Sequence, residues 1–219
     1  CGSNLKQIGI GLFTYSNENN GKFPPQHKLV LLSKQPFESC LSYRENYTMG
    51  RITGDRSDTR LEPLQLAKLY ASGVIASPEV FYCPSLAVWK KHEFYKTFNY
   101  KYYAENTDGP WGSDIPNTIL AGQGVPEYAV RSSYNYWVLE KDQPEMLGSK
   151  KAITFDILYN WDLIPHRKNY DTPMGINTLF GDGHVDFVNK QRIWEEYLWF
   201  PIAEGIRARP GAFWEEFTE

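Results

Sequence analysis

The sequence predicts an α+β fold in which an N-terminal helix packs on a predominantly antiparallel sheet. Two patterns favour this fold class. One is a single apolar helical face near the N-terminus, and the other is a series of later strand-like segments joined without regularly alternating helices. A chain of 219 residues with 42 % apolar residues can bury a substantial core. The length therefore allows one large domain or two small ones.

The first helix is predicted over Asn4–Asn19. Its apolar side chains recur at steps of three and four residues and so share one face: Leu5, Ile8, Leu12 and Tyr15. Gly21 and the Pro24-Pro25 pair end the helical pattern. Gly9 and Gly11 lie inside it, and each costs about 1 kcal/mol relative to alanine. Tertiary packing, or a continuation of the helix upstream, must therefore hold this helix.

The sequence pattern in the middle of the chain predicts a second helix, two short strands and an insertion. The helix is expected over Leu61–Ser72, with Gly73 at its end. Val80–Cys83 is interpreted as a short buried strand, and the aromatic density of Phe94–Tyr103 favours another strand. Residues 104–126 are rich in glycine and proline, which indicates an irregular insertion.

Strands are also expected over Ser133–Leu139 and Ala152–Leu158, followed by a hairpin. The hairpin joins Asn177–Phe180 to His184–Val188. Asp182-Gly183 between the two strands predicts a two-residue structural turn with both residues at positive φ. Residues 191–219 are interpreted as a partly helical, aromatic C-terminal extension.

Composition excludes several classes of protein. The net charge is −3 and no basic cluster occurs, which argues against nucleic acid as a partner. No apolar run is long enough to span a membrane. Cys1, Cys40 and Cys83 allow one disulfide in three pairings. None lies in a CxxC or His/Cys motif, so no structural zinc site is expected.

The hairpin region contains the candidate metal ligands His166, Asp182 and His184, which could form a facial triad. The favoured interpretation is that no metal binds. Asp182 suits a tight turn, and Asp182, His184 and Asp186 lie on one alternation face that can simply point to solvent. Nucleophile-elbow and P-loop motifs are absent, so we assign no catalytic residue.

Trp111 is a weak candidate for ligand binding. It lies in a Gly/Pro-rich stretch beside acidic residues, and flat aromatic faces can stack on sugar rings. An exported carbohydrate-binding module is therefore one alternative function, and a metal-dependent hydrolase built on the candidate triad is a less favoured one.

Four segments together resemble the bacterial prepilin-type, pseudopilin-like family, which has an N-terminal methylation motif and a C-terminal His-x9-Asp-Gly signature. The segments occur in the family's order: Cys1–Pro25, Val80–Ser85, Ser133–Tyr136 and Phe180–Phe187. One feature departs from the signature. Fifteen residues, Arg167 to Gly181, separate His166 from Asp182.

The resemblance implies a non-catalytic structural subunit of a type II secretion or type IV pilus-like surface assembly. Family members are cut and methylated by a prepilin peptidase and assemble with other pilin-like subunits through an apolar N-terminal helix. That helix anchors the subunit in the inner membrane, with the head in the periplasm or at the cell surface. By this resemblance residues 1–219 form a single pilin-like globular head. Residues 1–20 are then the C-terminal half of the long helix, whose apolar half is expected upstream. The resemblance implies no required cofactor, but it leaves room for structural calcium in the acid-rich region Asp156–Asp186.

Overall fold

The computed structural model describes residues 1–26, 39–45, 61–88, 98, 129–138, 144–158, 161–168, 172–189, 194, 199–202 and 205–208. These residues form a mixed α and β structure in which every strand pair is antiparallel, as the sequence predicts. Within these ranges no helix has both the length and the apolar character needed to cross a bilayer.

The helices are α1 (Gly2–Glu18), α2 (Ala67–Ala71) and α3 (Pro144–Leu147), and 3-10 turns cover Pro78–Phe81, Pro84–Val88 and Trp161–Leu163. The strands are β1 (Leu41–Glu45), β2 (Leu61–Pro63), β3 (Ala129–Arg131), β4 (Tyr134–Tyr136), β5 (Ala152–Asp156), β6 (His166–Lys168), β7 (Thr172–Phe180), β8 (Val185–Val188), β9 (Trp199–Ile202) and β10 (Gly205–Ala208).

Strand β7 organises the largest sheet, whose order is β4-β5-β7-β6 with β8 also paired to β7. The N-terminal part of β7 pairs with β6, and its C-terminal part pairs with β5 and β8. A second sheet has the order β2-β1-β3, and β9 and β10 form a separate hairpin. The long central strand therefore aligns elements from several parts of the chain.

Helix α1 lies on this sheet through the face that the sequence predicts. It contacts β7, β8, α2 and the 3-10 turn at Pro78–Phe81. Leu5, Ile8 and Leu12 have no exposed surface, whereas Ile10 on the outer face is 70 % exposed. Tyr15 is only partly buried. The apolar face thus supplies the packing that a helix with two internal glycines requires.

The two glycines let α1 approach its neighbours closely. A Cβ at Gly9 would lie 3.0 Å from Leu179 Cδ1, and a Cβ at Gly11 would lie 2.8 Å from Ile75 Cδ1. Real Cβ atoms are rarely so near another carbon, because interiors are close-packed. The helix propensity lost at these positions is therefore offset by close packing on β7 and next to α2.

The opposite face of the sheet packs a second apolar cluster. Its buried members are Ala152, Phe155, Leu158, Ile164, Ile176 and Val188. The Trp161 and Trp194 rings meet edge to face here, with centroids 6.0 Å apart. At least this part of the aromatic C-terminal extension therefore contributes to the core.

Several predicted elements differ from the structure. Leu61–Ser72 is not one helix, because its first residues form β2 and only Ala67–Ala71 is helical. Val80–Cys83 is buried as expected but is not a strand, since Pro78–Phe81 forms a 3-10 turn. In the extension, the described residues include the antiparallel strands β9 and β10, and the rest of 191–219 apart from Trp194 lies outside the described residues.

Other predicted elements agree with the structure or lie outside the described residues. The strands predicted over Ser133–Leu139 and Ala152–Leu158 are confirmed in part, as the shorter β4 and β5. The first helix begins two residues earlier than predicted, and Gly21 and Gly73 take the expected positive φ, +74° and +78°. The insertion 104–126, and the strand Phe94–Tyr103 apart from Phe98, lie outside the described residues.

Candidate functional site

Four residues that are distant in sequence meet beside the N-terminus of α1. Cys1 precedes the helix, Cys83 follows the 3-10 turn at Pro78–Phe81, Asp156 ends β5, and His166 begins β6. One sulfur, nitrogen or oxygen atom from each lies within 4.8 Å of the corresponding atom of the others. We call this set the Cys–Asp–His cluster.

A disulfide joins the two cysteines of the cluster. Cys1 and Cys83 are 82 positions apart in sequence, and their Cα atoms lie 4.9 Å apart. The bond ties the start of α1 to the segment that runs beneath it. Cys40 is buried in the core and lies outside the disulfide. The structure thus selects one of the three pairings that the sequence leaves open.

Asp156 is fully buried in the cluster, with no exposed surface. Its Oδ2 accepts hydrogen bonds from the backbone N–H of Asn177 at 2.6 Å and from the Asn177 side-chain amide at 2.8 Å. Its Oδ1 is buried and has no hydrogen-bond partner among the described residues. Because a buried carboxylate oxygen without a partner is costly, this atom is a site where a ligand would be stabilising.

His166 completes the polar side of the cluster. Its Nε2 lies 3.0 Å from Asp156 Oδ2 and 2.6 Å from the Asn177 side-chain nitrogen. When Nε2 carries a proton it donates to Asp156, and when it does not it accepts from Asn177. The side chain is 22 % exposed, so the imidazole links the buried carboxylate to solvent.

Tyr134 on β4 lies against the same cluster. Its hydroxyl donates to the carbonyl oxygen of Cys1 over 3.4 Å. Burial raises the pKa of Tyr134 well above its usual value, and the negative charge of Asp156 raises it further, whereas a hydrogen bond with Asn4 lowers it. The tyrosine therefore stays neutral at any ordinary pH and acts as a hydrogen-bond donor.

The hairpin turn lies apart from this cluster. His166 pairs with Gly175, whereas the turn follows Phe180 at the other end of β7. Five strand residues place the turn roughly 16 Å away along the strand. The structure therefore separates His166 from Asp182 and His184, and the three do not form the facial triad considered from the sequence.

Asp182 and His184 form a local pair in the turn. Asp182 Oδ1 accepts a hydrogen bond from the backbone N–H of His184 over 3.0 Å and also contacts the His184 ring. The backbone hydrogen bond is the main reason that the pKa of Asp182 lies below its usual value. Both side chains are exposed, in agreement with the solvent-facing interpretation.

The turn itself differs in type from the prediction. Gly183 has φ +88°, but Asp182 is absent from the described non-glycine residues with positive φ. Phe180 accepts from the N–H of Gly183 and donates its own N–H to the carbonyl of His184, both over 2.9 Å. The connection is therefore a three-residue loop, Gly181–Gly183, with its left-handed residue at glycine.

Sequence reasoning missed most of the Cys–Asp–His cluster. It identified His166 but assigned it to the wrong partners, and it expected no His/Cys cluster. The cysteines, Asp156 and His166 occupy no recognisable ligand spacing because four separate elements bring them together. Two signals were usable. Asp156 and His166 both lie in the acid-rich region Asp156–Asp186, and Cys1 and Cys83 both belong to segments of the family resemblance.

Trp111, the weak candidate for sugar stacking, lies outside the described residues. What the structure defines is an α+β domain with a helix on an antiparallel sheet and a disulfide-containing polar cluster at the helix start. Comparison of the chain with protein-family models, with curated proteins and with solved structures found no match.

Proposed function

We propose that this domain is the head of a pilin-like structural subunit of a type II secretion or type IV pilus-like assembly. In this proposal the head is non-catalytic and is carried into the periplasm or to the cell surface on an apolar helix that continues α1 upstream. That helix anchors the subunit in the inner membrane and joins it to other pilin-like subunits.

The observation that carries the proposal is that the four segments of the family resemblance pack on one another. The first and last segments meet where α1 crosses the hairpin. A Cβ at Gly9 would lie 3.0 Å from Leu179 Cδ1 and 3.9 Å from the carbonyl oxygen of Gly183. The Phe13 ring lies next to Gly183 as well, 3.3 Å from the position of an added Cβ.

The two middle segments join the same unit. The backbone N–H of Ser133 donates to the carbonyl of Phe81 over 3.1 Å, and the Ser133 hydroxyl accepts from the N–H of Cys83. The disulfide then connects Cys83 to the start of α1. The four segments thus pack into one unit, as the proposed fold requires.

The experiment is to express the full-length gene product with and without a prepilin peptidase. Mass spectrometry of the N-terminus should show a leader that is removed, and a methylated new N-terminus, only when the peptidase is present. The sample without the peptidase is the matched control for non-specific proteolysis. The isolated domain should sediment as a monomer or weak dimer, since polymerisation depends on the apolar helix.

A different N-terminus would contradict the proposal. Removal of a conventional signal peptide that leaves no apolar helix on the mature protein would favour an exported binding module instead. Glycan-array binding that is lost in Trp111→Ala would then identify that module as carbohydrate-binding.

A further inference from the structure

We propose that reduction of the Cys1–Cys83 disulfide converts the Cys–Asp–His cluster into a binding site for one zinc-type divalent metal ion. The ligands are the two cysteine sulfurs, a carboxylate oxygen of Asp156 and the Nε2 of His166. This inference does not rest on the proposed function. It concerns a site that neither the sequence pattern nor the pilin-like role assigns.

The types of the four ligand atoms, and the distances between them, fit a four-coordinate ion. Zinc binds sulfur at about 2.3 Å and nitrogen or oxygen at about 2.1 Å, so tetrahedral ligand atoms lie about 3.3–3.8 Å apart. The four donor atoms of the cluster already lie within 4.8 Å of one another. Shifts of about 1 Å in the side chains would bring all four onto one ion.

The disulfide is what keeps the sulfurs too close for this geometry. A disulfide holds two sulfur atoms about 2.0 Å apart, whereas two thiolates on one zinc ion lie about 3.8 Å apart. The Cα atoms of Cys1 and Cys83 are 4.9 Å apart. Rotation of the two side chains can therefore separate the sulfurs once the bond is broken, with no large backbone movement.

The buried oxygen of Asp156 is an independent observation that points to a ligand. Asp156 has no exposed surface, and its Oδ1 has no hydrogen-bond partner in the described part of the chain. Asn177 holds the other oxygen through two hydrogen bonds. This is the arrangement of an oriented carboxylate ligand, in which outer hydrogen bonds fix one oxygen and leave the other for the metal.

His166 offers the ion a path from solvent. Its side chain is 22 % exposed, and the Phe187 ring packs edge to face against it with centroids 5.6 Å apart. Phe187 is itself 42 % exposed. A metal ion can therefore reach the cluster past His166 and the partly buried Cys1, whereas Cys83 and Asp156 are buried.

The chemical step balances with an external dithiol as reductant. The dithiol transfers two electrons and two protons to the disulfide, is oxidised to its own disulfide, and leaves two cysteine thiols. Metal binding then releases the two thiol protons to solvent, because the thiolate is the ligand form. The reverse exchange with an external disulfide re-forms the Cys1–Cys83 bond and expels the ion. The external disulfide accepts the two electrons and takes up two protons from solvent to become a dithiol.

Cobalt is the probe for the first test. The oxidised chain and the chain reduced with a phosphine are each titrated with Co²⁺ under nitrogen. The reduced chain should bind about one ion and show thiolate-to-cobalt charge-transfer bands with the visible bands of a tetrahedral site. The oxidised chain should show neither. Zinc should displace the cobalt, because it binds thiolate sites more tightly.

Matched variants assign the ligands. Cys83→Ser and His166→Ala should each weaken binding at least about tenfold, since even outer-shell changes alter metal affinity about 10–100-fold. Cys40→Ser removes a thiol outside the cluster, and His184→Ala removes the histidine of the other His–Asp pair. Neither control should change the affinity or the spectrum.

Two results would overturn the proposal: a folded, reduced chain that binds no cobalt, or binding in His166→Ala and Cys83→Ser equal to that of the unmodified chain. If the reduced chain loses its fold without metal, zinc must restore the native circular dichroism spectrum at about one equivalent, because binding and folding are then coupled. A failure to restore the spectrum counts equally against the site.

Discussion

Gly183 is the residue on which the hairpin turn depends. It occupies the left-handed region with φ +88°, and an added Cβ would lie 3.3 Å from Phe13 Cε2. A β-branched side chain is strained at such a φ whatever space surrounds it. The neighbouring His184 is partly exposed, although its ring stacks on Phe180 with centroids 4.4 Å apart.

Gly183→Val should therefore lower the free energy of unfolding by about 1–3 kcal/mol. His184→Ala should cost less than about 1 kcal/mol, since it removes an exposed stacking contact and no core packing. Urea unfolding with and without a chelator measures both variants. A large loss in His184→Ala that a chelator reproduces in the unmodified chain would indicate a metal at the turn after all.

Asp182 should make stability depend on pH in the acid range. Its pKa is lowered in the folded state, mainly by the backbone N–H of His184. The stabilisation is therefore present above the usual carboxyl pKa of about 4 and is lost as the pH falls through the lower folded value. Melting temperatures of the unmodified chain should fall more steeply below about pH 4 than those of Asp182→Asn. Parallel profiles would show that the carboxylate contributes nothing.

At the scale of elements, α1 is held by its buried face rather than by intrinsic helix propensity. It lacks a side-chain N-cap hydrogen bond and has no acidic residue in its first turn. Ile8 is fully buried, whereas Ile10 two residues later is 70 % exposed. The two isoleucines therefore form a matched pair for measuring what the face contributes.

Ile8→Ala should lower the free energy of unfolding by about 2–5 kcal/mol, because it leaves a cavity between α1 and the sheet. Ile10→Ala should change it by less than about 0.5 kcal/mol, since alanine also favours helix. Denaturant unfolding followed by circular dichroism compares the two. Equal costs would mean that α1 does not pack on the sheet through this face.

At the scale of the whole molecule, the disulfide links the first helix to a segment far along the chain. Its sequence separation of 82 residues closes a long loop, which greatly restricts the unfolded chain. On the chain-entropy account, such a bond stabilises the folded state by about 2–5 kcal/mol. The same bond also holds one edge of the polar cluster together.

Reduction of the chain, in the presence of a chelator, should therefore lower the free energy of unfolding by about 2–5 kcal/mol. The double variant Cys1→Ser with Cys83→Ser should be destabilised by a similar amount. Adding reductant to that variant should have no further effect, which controls for Cys40. An unmodified chain that is insensitive to reductant would contradict this account of its stability.

Sequence patterns correctly predicted the features that depend on interactions between residues close together in the chain. The apolar face of α1, the glycine that ends it and the β7–β8 hairpin all follow from side-chain periodicity and positive φ within a few residues. Even there, the type of turn was wrong. The Asp-Gly pair is compatible with two loop lengths, and the hydrogen bonds of Phe180 with Gly183 and His184 select the longer one.

Other features depended on contacts between distant residues. The apolar pattern of Leu61–Ser72 suits a helix, yet pairing with β1 makes its first residues a strand. Gly9 and Gly11 lower the helix propensity of the sequence. The structure explains them, because Leu179 packs against Gly9 and Ile75 packs against Gly11 at distances that leave little room for a side chain. Propensity is a weak preference, and tertiary packing overrides it.

The sequence by itself determined the α+β class, the packing face of α1 and the existence of the final hairpin. Only the tertiary structure decided that Cys1 pairs with Cys83 and that Asp156 and His166 lie beside them. The physical reason is the separation along the sequence of the residues involved. Periodicity indicates only which residues of one helix or strand share a face. The cluster instead forms where α1, β5, β6 and the segment at Cys83 meet. That convergence depends on long-range strand pairing, which no local spacing encodes.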